Sequence, residues 1–421
     1  MIMQDNEKKP ALRFKGFTDP WEQRKLAELT KTITTGKSVN SDEGEVSDGN
    51  IGVLKTSCVS YDRFNPSESK PVVKSEQQLV KCAVEKDSVI VSRMNTPERV
   101  GACGYVSTDF PNLFLPDRLW KLKFQDTVDT YFVYMMLVSS AYKEKITSMA
   151  SGTSGSMYNI PKETFLNLQL VIPAKIDEQK QLGKILKKID TLITLHQRKY
   201  EKLVNIKKSM LDKMFPQNGA SVPEIRFKSF TDPWEQRKLD EIANFSKGVG
   251  YSKNDLCEEG TPIILYGRLY TKYETSIFDV DTFVKEKAGS VYSKGGEVIV
   301  PASGETAEDI SIASVVVKPG ILLGGDLNIV SPTTEYDSAF LALTISSGAA
   351  HEYLSSLAQG KSVVHLHNAD IQSVSAKFPT KREQEKIHLL FGKIDTLITL
   401  HQRKLEKLQN IKKSCLEKMF V

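Results

Sequence analysis

The sequence predicts an α+β protein made of two similar halves, each a globular domain followed by a long helix. Two observations support this fold class. An opening segment of 14 residues occurs twice, with 13 positions identical. A segment with an apolar heptad pattern closes each half and is also nearly identical in the two copies. Repeats on this scale indicate a duplicated architecture with an internal pseudo-twofold.

The opening repeat is RFKGFTDPWEQRKL at Arg13–Leu26 and RFKSFTDPWEQRKL at Arg226–Leu239. A proline followed by a tryptophan in each copy predicts a turn and a packing anchor that lead into a short helix. We therefore expect Trp21 and Trp234 to be buried where each variable domain meets the shared frame.

The closing repeat is KIDTLITLHQRKYEKLVNIKKSMLDKMF at Lys188–Phe215, and Lys393–Phe420 differs from it at four positions. Its apolar residues alternate in steps of four and three, which is the spacing of a coiled-coil seam. Lys207 and Lys412 each interrupt this seam once. A helix of about 35 residues would be about 50 Å long.

A helix with one apolar seam needs a partner, and the nearest candidate is its own copy. We predict an antiparallel pair, in which His196 and His401 occupy equivalent seam positions. The simplest interpretation of these histidines is a tolerated polar seam residue, and a pH switch or a metal site is the alternative.

The globular parts contain short alternating runs such as VIVSR and SIASVVV, which predict mainly antiparallel, twisted sheets. Thr130–Met149 and Ser338–Leu357 are predicted as helices. The domain boundaries that we predict are 1–177 for the N-terminal domain, 178–215 for the central helix, 216–225 for a linker, 226–381 for the C-terminal domain and 382–421 for the distal helix.

Composition limits the class of protein. The net charge of +5 and the pI of about 8.6 permit a polyanionic partner without requiring one. The five cysteines are scattered and contain no CxxC pair, which is typical of a reduced cytoplasm. We expect no membrane span and no secretory signal, because no apolar run approaches 18 residues and the start has no apolar core segment.

Motifs for catalysis are absent from the sequence. It contains no GxxxxGK[ST] phosphate loop, no HExxH and no GxSxG, and no complete dinucleotide fingerprint. His365 and His367 lie on one strand face, but no further ligand cluster accompanies them, so we expect no metal site. A non-catalytic binding or scaffolding role is therefore favoured.

The paired motifs resemble a known family. The FxxFxxPWExxKL openers at Phe14–Leu26 and Phe227–Leu239 precede a proline, an EQ dipeptide and an IDxLI-x4-K helix at Pro173–Lys199 and Pro379–Lys404. In this order they are similar to the specificity subunit of type I restriction-modification enzymes, over essentially the whole chain.

The resemblance implies two target-recognition domains, each of which reads one half of a bipartite target in double-stranded DNA. It implies that the helices set the half-site spacing and that the subunit itself is not catalytic and binds no cofactor. The implied partners are two methyltransferase subunits and the restriction/translocase subunits, which would use S-adenosylmethionine, ATP and Mg. Together they would methylate adenine in the target and cleave unmodified DNA.

Reading DNA requires side-chain forks, hydroxyl groups or aromatic rings on exposed loops. The candidates in the N-terminal domain are Lys55, Thr56, Ser57, Tyr61, Ser92, Arg93, Asn95, Gly152, Ser154, Ser156 and Tyr158. The candidates in the C-terminal domain are Tyr266, Arg268, Tyr270, Ser303, Glu305, Lys361, His365 and His367. Each of these is also explicable as an ordinary surface or turn residue.

Two other function classes are compatible with the same residues. One is a coiled-coil scaffold that presents two β-rich domains to other proteins and binds no DNA. The other is an enzyme with an unrecognised site.

Overall fold

The computed structural model describes residues 10–47, 49–60, 63–152, 157–217, 219–360 and 363–420. The chain divides into two compact units. The first unit runs up to Leu195 and also includes the segment from Lys404 onward, and the second runs from His196 to Arg403. Each unit therefore contains one globular domain and a part of each long helix.

The long helices are Ile176–Met214 and Lys381–Met419, each of 39 residues. Inside the first unit, the start of the first long helix packs beside the end of the second, since Asp190 contacts Lys412. The second unit contains the complementary pairing, in which Lys207 contacts Asp395. These contacts confirm that the two helices pair antiparallel.

The first unit is built on a four-stranded antiparallel sheet with the strand order Cys103–Val106, Ser88–Ser92, Leu119–Phe124, Thr30–Thr35. A second sheet is mixed and has the order Ser69–Pro71, Gly52–Leu54, Phe110–Phe114, Ala83–Val84. The paired short strands are Trp21–Lys25 with Gln169–Pro173, Met94–Asn95 with Tyr158–Asn159, and Val59–Ser60 with Arg63–Phe64. The shorter helices are Leu26–Leu29, Thr56–Cys58, Lys74–Leu79, Thr130–Leu137, Ser140–Ser148 and Lys162–Leu166.

The second unit has a five-stranded sheet with the strand order Ala243–Lys247, Leu327–Pro332, Glu297–Pro301, Ser314–Val316, Ser276–Ile277. Its four-stranded sheet has the order Leu256–Cys257, Phe283–Val284, Thr261–Ile264, Leu322–Leu323. The paired short strands are Glu235–Lys238 with Ser375–Phe378, and Ser303–Gly304 with Val364–His365. The shorter helices are Leu239–Ile242, Lys253–Asp255, Arg268–Thr271, Ala307–Ile310, Ser338–Ile345, Gly348–Leu357 and Asn368–Ser373. Both units are thus α+β with mainly antiparallel pairing, as predicted.

The helix predicted over Thr130–Met149 is wrong as a single element, because the structure has two helices, Thr130–Leu137 and Ser140–Ser148. Ser139 is extended, with ψ 152°, and its hydroxyl donates to the carbonyl of Met136 at 2.7 Å. A serine that bonds back to the preceding turn competes with helix continuation. The helix predicted over Ser338–Leu357 is divided in the same way into Ser338–Ile345 and Gly348–Leu357.

The end of each long helix packs into a globular core. In the first unit, Phe420 is 4% exposed and its ring lies 5.4 Å from that of Phe132. In the second unit, Phe215 is 6% exposed and its ring lies 5.4 Å from that of Phe340 and 5.9 Å from that of Trp234. Each globular core is therefore completed by the phenylalanine that directly follows a long helix.

Candidate nucleic-acid interface

A buried ion pair joins the repeated opener to the first long helix. Arg13 donates from Nε and Nη2 to the two carboxylate oxygens of Glu178, at 2.6 and 2.8 Å. The indole Nε1 of Trp21 donates to the same carboxylate at 3.3 Å. Glu178 is 1% exposed, so this charge depends on its partners in place of water. The hydrogen bond to Glu178 also raises the pKa of Arg13.

The second unit repeats the ion pair. Arg226 donates to both oxygens of Glu383 at 2.8 Å, and Glu383 is fully buried. Trp234 is 3% exposed, but its indole nitrogen has no hydrogen-bond partner among the described residues. The prediction that Trp21 and Trp234 are packing anchors is confirmed, and only Trp21 also donates to the ion pair.

The glutamine that follows each glutamate ties the helix start to the domain. Gln179 accepts from the backbone nitrogen of Asp129 at 3.1 Å and donates at 2.9 Å to the carbonyl of the proline that ends the preceding strand. Gln384 accepts from Asp337 at 2.9 Å and donates to the equivalent proline at 2.8 Å. The EQ dipeptide thus joins each long helix to its own domain through side chains that are buried in both units.

The two lysines that interrupt the heptad seam have a structural role. Lys412 Nζ lies 2.8 Å from a carboxylate oxygen of Asp190, and Lys207 Nζ lies 2.5 Å from Asp395. All four side chains are largely shielded from water, with 13–26% exposure. A long lysine side chain can pack its carbons along the seam while its ammonium reaches the facing helix. Each pair therefore fixes the register of one helix against the other.

His196 and His401 lie against each other in the second unit, with their Nδ1 atoms 2.8 Å apart and their ring centroids 5.0 Å apart. One ring donates and the other accepts, according to the tautomer. This is a polar seam contact, and no group of three or more possible metal-binding side chains occurs in the described part of the chain.

A two-stranded ribbon, Met94–Asn95 with Tyr158–Asn159, lies beyond the end of the central sheet of the first unit, and we call it the first ribbon. Asn95 is 8% exposed. Its side chain donates to Ser92 Oγ at 3.0 Å and accepts from the backbone nitrogen of Thr96 at 2.9 Å. Asn95 therefore holds the ribbon in place through bonds within the protein.

The second ribbon is Ser303–Gly304 with Val364–His365. The hydroxyl of Ser303 lies 3.2 Å from Nδ1 of His365. The rings of His365 and His367 are parallel within 5°, with centroids 6.5 Å apart, and both side chains are exposed. This ribbon therefore presents imidazoles, whereas the first presents a phenol.

One backbone hydrogen bond shows that the two ribbons are structurally equivalent. In the first unit, the nitrogen of Ile160 donates to the carbonyl of Arg93 at 2.9 Å. In the second, the nitrogen of Leu366 donates to the carbonyl of Ala302 at 3.0 Å. Each ribbon is thus attached to its sheet at the same place, although the two ribbons have no residue type in common.

The candidates in the first unit fall into three groups. Ser92 and Asn95 are buried, so they lack the exposure expected of a DNA-reading side chain. Arg93 is half-buried and its Nε donates to the carbonyl of Asp117 at 2.8 Å. The half-buried or exposed candidates near the ribbon are Lys55, Thr56, Ser57, Gly152 and Tyr158. Tyr61, Ser154 and Ser156 lie outside the described residues.

Two of the half-buried candidates, Ser57 and Lys55, already contact an acid. Ser57 donates to Glu68 at 2.6 Å, and Lys55 Nζ lies 3.8 Å from the same carboxylate. The structure brings this segment to the first ribbon, because Asn95 also reaches the carbonyl of Thr56 at 3.5 Å. DNA contact by these residues stays a prediction.

The candidates in the second unit form two clusters. Tyr266 and Tyr270 have ring centroids 6.1 Å apart. Burial, together with Tyr266 and Glu305, raises the pKa of Tyr270 to about 12, so its phenol remains a hydrogen-bond donor at neutral pH. Ser303 and His365 belong to the second ribbon, in which Ser303 is buried, and His367 lies just beyond it, before the helix Asn368–Ser373. Lys361 lies outside the described residues.

Arg268 is the candidate with the most internal contacts. It donates to Asp281 at 2.7 Å and to Glu274 at 2.9 Å, and its side chain is 8% exposed. A contact with a DNA base would require Arg268 to leave both carboxylates, and breaking these two ion pairs would cost free energy. Its role in DNA reading stays a prediction.

Sequence reasoning missed the residues that hold the frame together. Arg13 and Arg226 belong to the repeated opener, and Asp190 and Asp395 belong to the repeated helix. Their signal was available, since both members of every pair are identical in the two copies. The sequence did not show the partner of each residue. The antiparallel helix pairing sets it for Asp190 and Asp395, and the packing of each opener against the start of the following long helix sets it for Arg13 and Arg226.

Comparison with known proteins is consistent with this duplicated geometry. The model of the type I restriction-modification DNA specificity domain matches the chain twice, at residues 18–205 and 231–410. The chain belongs to this family. It is a type I DNA-specificity subunit with two recognition domains.

Two relatives of this specificity subunit come from Methanocaldococcus jannaschii. The MjaVIII specificity subunit is 23% identical over 297 residues, which is 68% of each chain. The putative MjaX specificity subunit is 21% identical over 420 residues, which covers 94% of this chain and 91% of the relative.

The fold of this specificity subunit is also similar to a solved structure. The S subunit of a type I restriction-modification system from M. genitalium superposes with a TM-score of 0.68, covering 98% of this chain and 99% of that one, at 17% identity. In the described part of the specificity subunit, no helix has the length and apolarity that crossing a membrane requires.

Proposed function

We propose that each recognition domain reads one half of a bipartite sequence in double-stranded DNA, and that the two long helices set the separation of the half-sites. The observation that supports this most strongly is the contrast between frame and ribbons. Both units keep the same buried Arg–Glu pair and the same Asp–Lys pair, whereas the equivalent ribbons carry different side chains. Two equivalent frames with two different surfaces suit two different half-sites.

The proposed spacing role of the helices is supported by the contacts along their seam. The Asp190–Lys412 pair, the Asp395–Lys207 pair and the His196–His401 contact each oppose sliding of one helix along the other. A polar contact at a seam position specifies register, because any shift leaves polar groups unpaired.

We propose that the duplicated frame docks two identical methyltransferase subunits. Apolar side chains remain exposed at equivalent positions of the two repeats, with exposures of 44% and 43% for Leu195 and Leu400, and of 40% and 37% for Ile411 and Ile206. In the first unit, Ile411 lines an open groove of about 340 Å³ together with other apolar residues that include Leu12 and Leu192. Exposed apolar patches of this kind are typical of protein interfaces, and a duplicated patch suits two copies of one partner.

In this proposal the specificity subunit contributes recognition and no catalytic step. The methyltransferase subunits would use S-adenosylmethionine to methylate adenine in each half-site. The restriction/translocase subunits would supply ATP- and Mg-dependent translocation and cleavage of unmodified DNA, and the assembly would act in the cytoplasm.

Methylome sequencing tests the proposal directly. A host that expresses this chain with its methyltransferase should carry adenine methylation at one bipartite motif. Exchange of residues 27–170 for another recognition domain should change one half of the motif only. A confirmed complex without any bipartite motif would contradict the proposal, and a change in both halves would contradict the modular assignment.

The docking proposal has a matched test. Leu195→Asp with Ile411→Asp changes exposed apolar residues of the first unit, and Leu400→Asp with Ile206→Asp changes the equivalent residues of the second. Native mass spectrometry should show that each double variant binds one methyltransferase subunit and that the four-site variant binds none. Retention of two subunits by both double variants would place the docking surface elsewhere.

DNA binding separates this function from a coiled-coil scaffold that binds only proteins. The assembled complex should bind duplex DNA with an affinity that falls steeply with salt, as contacts to phosphates require. A complex that binds no duplex at low salt would favour the scaffold.

A further inference from the structure

Three arginines emerge at the end of the central sheet that carries the first ribbon. Arg93 follows the strand Ser88–Ser92, and Arg118 precedes the neighbouring strand Leu119–Phe124. The backbone nitrogen of Arg93 donates to the carbonyl of Arg118 at 3.1 Å, so these two residues are adjacent. Arg99 lies in the turn that follows the ribbon strand. We call these three residues the arginine cluster.

The turn that carries Arg99 is well anchored. The backbone nitrogen of Val100 donates to the carbonyl of Thr96 at 2.9 Å, and the side chain of Val100 is fully buried. The nitrogen of Gly101 donates to the carbonyl of Ser92 at 2.7 Å, which returns the turn to the central sheet. Arg99 itself is exposed, so a fixed backbone presents its guanidinium to solvent.

The positions equivalent to the cluster in the second unit can be identified from hydrogen bonds. The backbone nitrogen of Ala302 donates to the carbonyl of Asp326 at 2.8 Å, which is the bond that joins Arg93 to Arg118 in the first unit. Ala302 is therefore the structural equivalent of Arg93, and Asp326 is the equivalent of Arg118.

The turns are equivalent as well. TPERV at 96–100 corresponds to TAEDI at 306–310, and Ile310 is fully buried like Val100. The nitrogen of Ile310 donates to the carbonyl of Thr306 at 3.4 Å, as the nitrogen of Val100 does to that of Thr96. Asp309 therefore stands where Arg99 does.

The two sheet ends consequently differ in charge. At the matched positions 93, 98, 99, 117 and 118, the first unit carries three positive and two negative charges, a net +1. The equivalent positions in the second unit carry no positive charge and three negative charges, from Glu308, Asp309 and Asp326, a net −3. A charge reversal at matched positions of one fold marks a difference in what the two surfaces bind.

The carboxylates of Asp117 and Glu68, near the cluster, accept hydrogen bonds from serines. The carboxylate of Asp117 accepts from Ser38 Oγ at 2.6 Å, and that of Glu68 accepts from Ser57 at 2.6 Å. The hydrogen bond from Ser57 and the charges of Lys55 and Arg99 lower the pKa of Glu68, so Arg99 lies near this acid without a hydrogen bond to it. Arg93 uses its Nε on the carbonyl of Asp117. The side chains of Arg99 and Arg118 are exposed, which leaves their planar forks accessible to a ligand.

We propose that the arginine cluster binds the DNA of the half-site read by the first recognition domain, with Arg99 and Arg118 as direct contacts. This inference rests on the proposed function and adds to it the residues and the charge of one reading surface. A guanidinium fork binds either phosphate oxygens or the O6 and N7 atoms of guanine. The half-site of the first domain is accordingly the more salt-sensitive of the two.

Charge reversal tests the cluster. In the assembled methyltransferase complex, Arg99→Asp and Arg118→Asp should each weaken binding to a duplex with the methylated motif by at least about tenfold. Each should also reduce the slope of log affinity against log salt by about one, as loss of one phosphate contact does. Arg382→Gln, at an exposed arginine near the start of the second long helix, is the matched control and should leave affinity and slope unchanged.

The neutral variants Arg99→Gln and Arg118→Gln distinguish the two kinds of DNA contact. Loss of a guanine contact should relax one position of the first half-site in the methylome. Loss of a phosphate contact should weaken binding without any change in the motif. Both results support the cluster, and a thermal midpoint equal to that of the parent protein excludes misfolding.

The half-site assignment is tested with DNA. If the two arginines contact guanine, a duplex in which only the half-site of the first domain is scrambled should bind the parent complex and the two Asp variants with similar affinity. If they contact phosphates, the two Asp variants should bind this duplex more weakly than the parent complex does. Parent-like affinity and salt slope for both Asp variants on the intact motif would overturn the cluster. If the parent complex showed no motif and no salt-sensitive duplex binding, the proposed function itself would fail.

Discussion

The two units of this specificity subunit are alike where they are buried and different where they face solvent at the sheet ends. Glu178 and Glu383 accept hydrogen bonds from equivalent arginines of the two openers. Asp190 and Asp395 pair with equivalent lysines of the two helix repeats. At the sheet ends, the positions that hold arginines in the first unit hold an alanine and two aspartates in the second. The frame is restricted because each buried charge needs its partner, whereas an exposed reading surface can change without loss of folding.

The largest effects are expected from breaking the buried ion pairs. Glu178→Ala should cost about 3–5 kcal/mol of stability, because it leaves Arg13 buried without its partner. Glu383→Ala should cost about 1 kcal/mol less, since only Glu178 also accepts from a tryptophan. Hydrogen exchange measured peptide by peptide would assign each loss to its own unit.

A matched control for this comparison is Glu22→Ala, at an exposed position of the same opener. It should change exchange by less than about 0.5 kcal/mol. Equal losses for Glu178→Ala and Glu383→Ala would show that the indole bond of Trp21 adds no net stability.

The aromatic residues at the helix ends come next. Phe215→Ala should cost about 4 kcal/mol, because its ring contacts both Phe340 and Trp234. Phe420→Ala should cost about 3 kcal/mol, since its ring pairs with Phe132 alone among the ring contacts of the described residues. Denaturant titration that gave Phe420→Ala the larger loss would reverse this ranking of the two cores.

The lysine–aspartate pairs should give smaller losses. Asp190→Ala removes an acceptor from Lys412 and from the hydroxyl of Tyr131, and Asp395→Ala does the same to Lys207 and Thr275. Each change should cost about 1–2 kcal/mol, because these groups are only partly buried. Adding Lys412→Met to Asp190→Ala should restore part of the loss by filling the seam with an apolar side chain.

This coupling can be measured as a double-mutant cycle in the unfolding free energy. A cycle that gave additive losses for the two changes would show that Lys412 packs in the seam independently of Asp190.

The sequence was sufficient to predict the duplicated frame. The repeat, the heptad seam and the tryptophan anchors follow from patterns that are local in the chain, and all are present in the structure. In the sequence alone, Lys207 and Lys412 interrupt the apolar seam. Their aspartate partners lie 188 and 222 residues away in the chain, so only the antiparallel pairing of the helices shows why lysine is placed there.

The reading surface could not be predicted to the same degree. Ser92 and Asn95 are polar residues at and just after the end of the predicted strand run VIVSR, yet they are buried and hydrogen-bonded to each other. Arg118 adjoins the ribbon only because the strand Leu119–Phe124 pairs with Ser88–Ser92. Strand neighbours that are distant in sequence determine which loops share a sheet end, and no local pattern encodes that placement.

The smallest effects concern two glycines inside the long helices. Gly392→Ala should stabilise the second unit by about 1 kcal/mol, because alanine is the better helix former and an added Cβ meets no described atom within 4 Å. Gly183→Ala should give no such gain, because its Cβ would lie 2.5 Å from the carboxylate of Asp129, which also caps a helix by accepting from Phe132.

The second unit shows how that position can be filled. The residue equivalent to Gly183 is His388, whose Nδ1 lies 2.8 Å from the carboxylate of Asp337, the counterpart of Asp129. Thermal unfolding of the two alanine variants should therefore separate them by about 1 kcal/mol in favour of Gly392→Ala. An equal gain in both would mean that Asp129 moves aside without losing its helix cap, so that the two helix starts are more interchangeable than their side chains suggest.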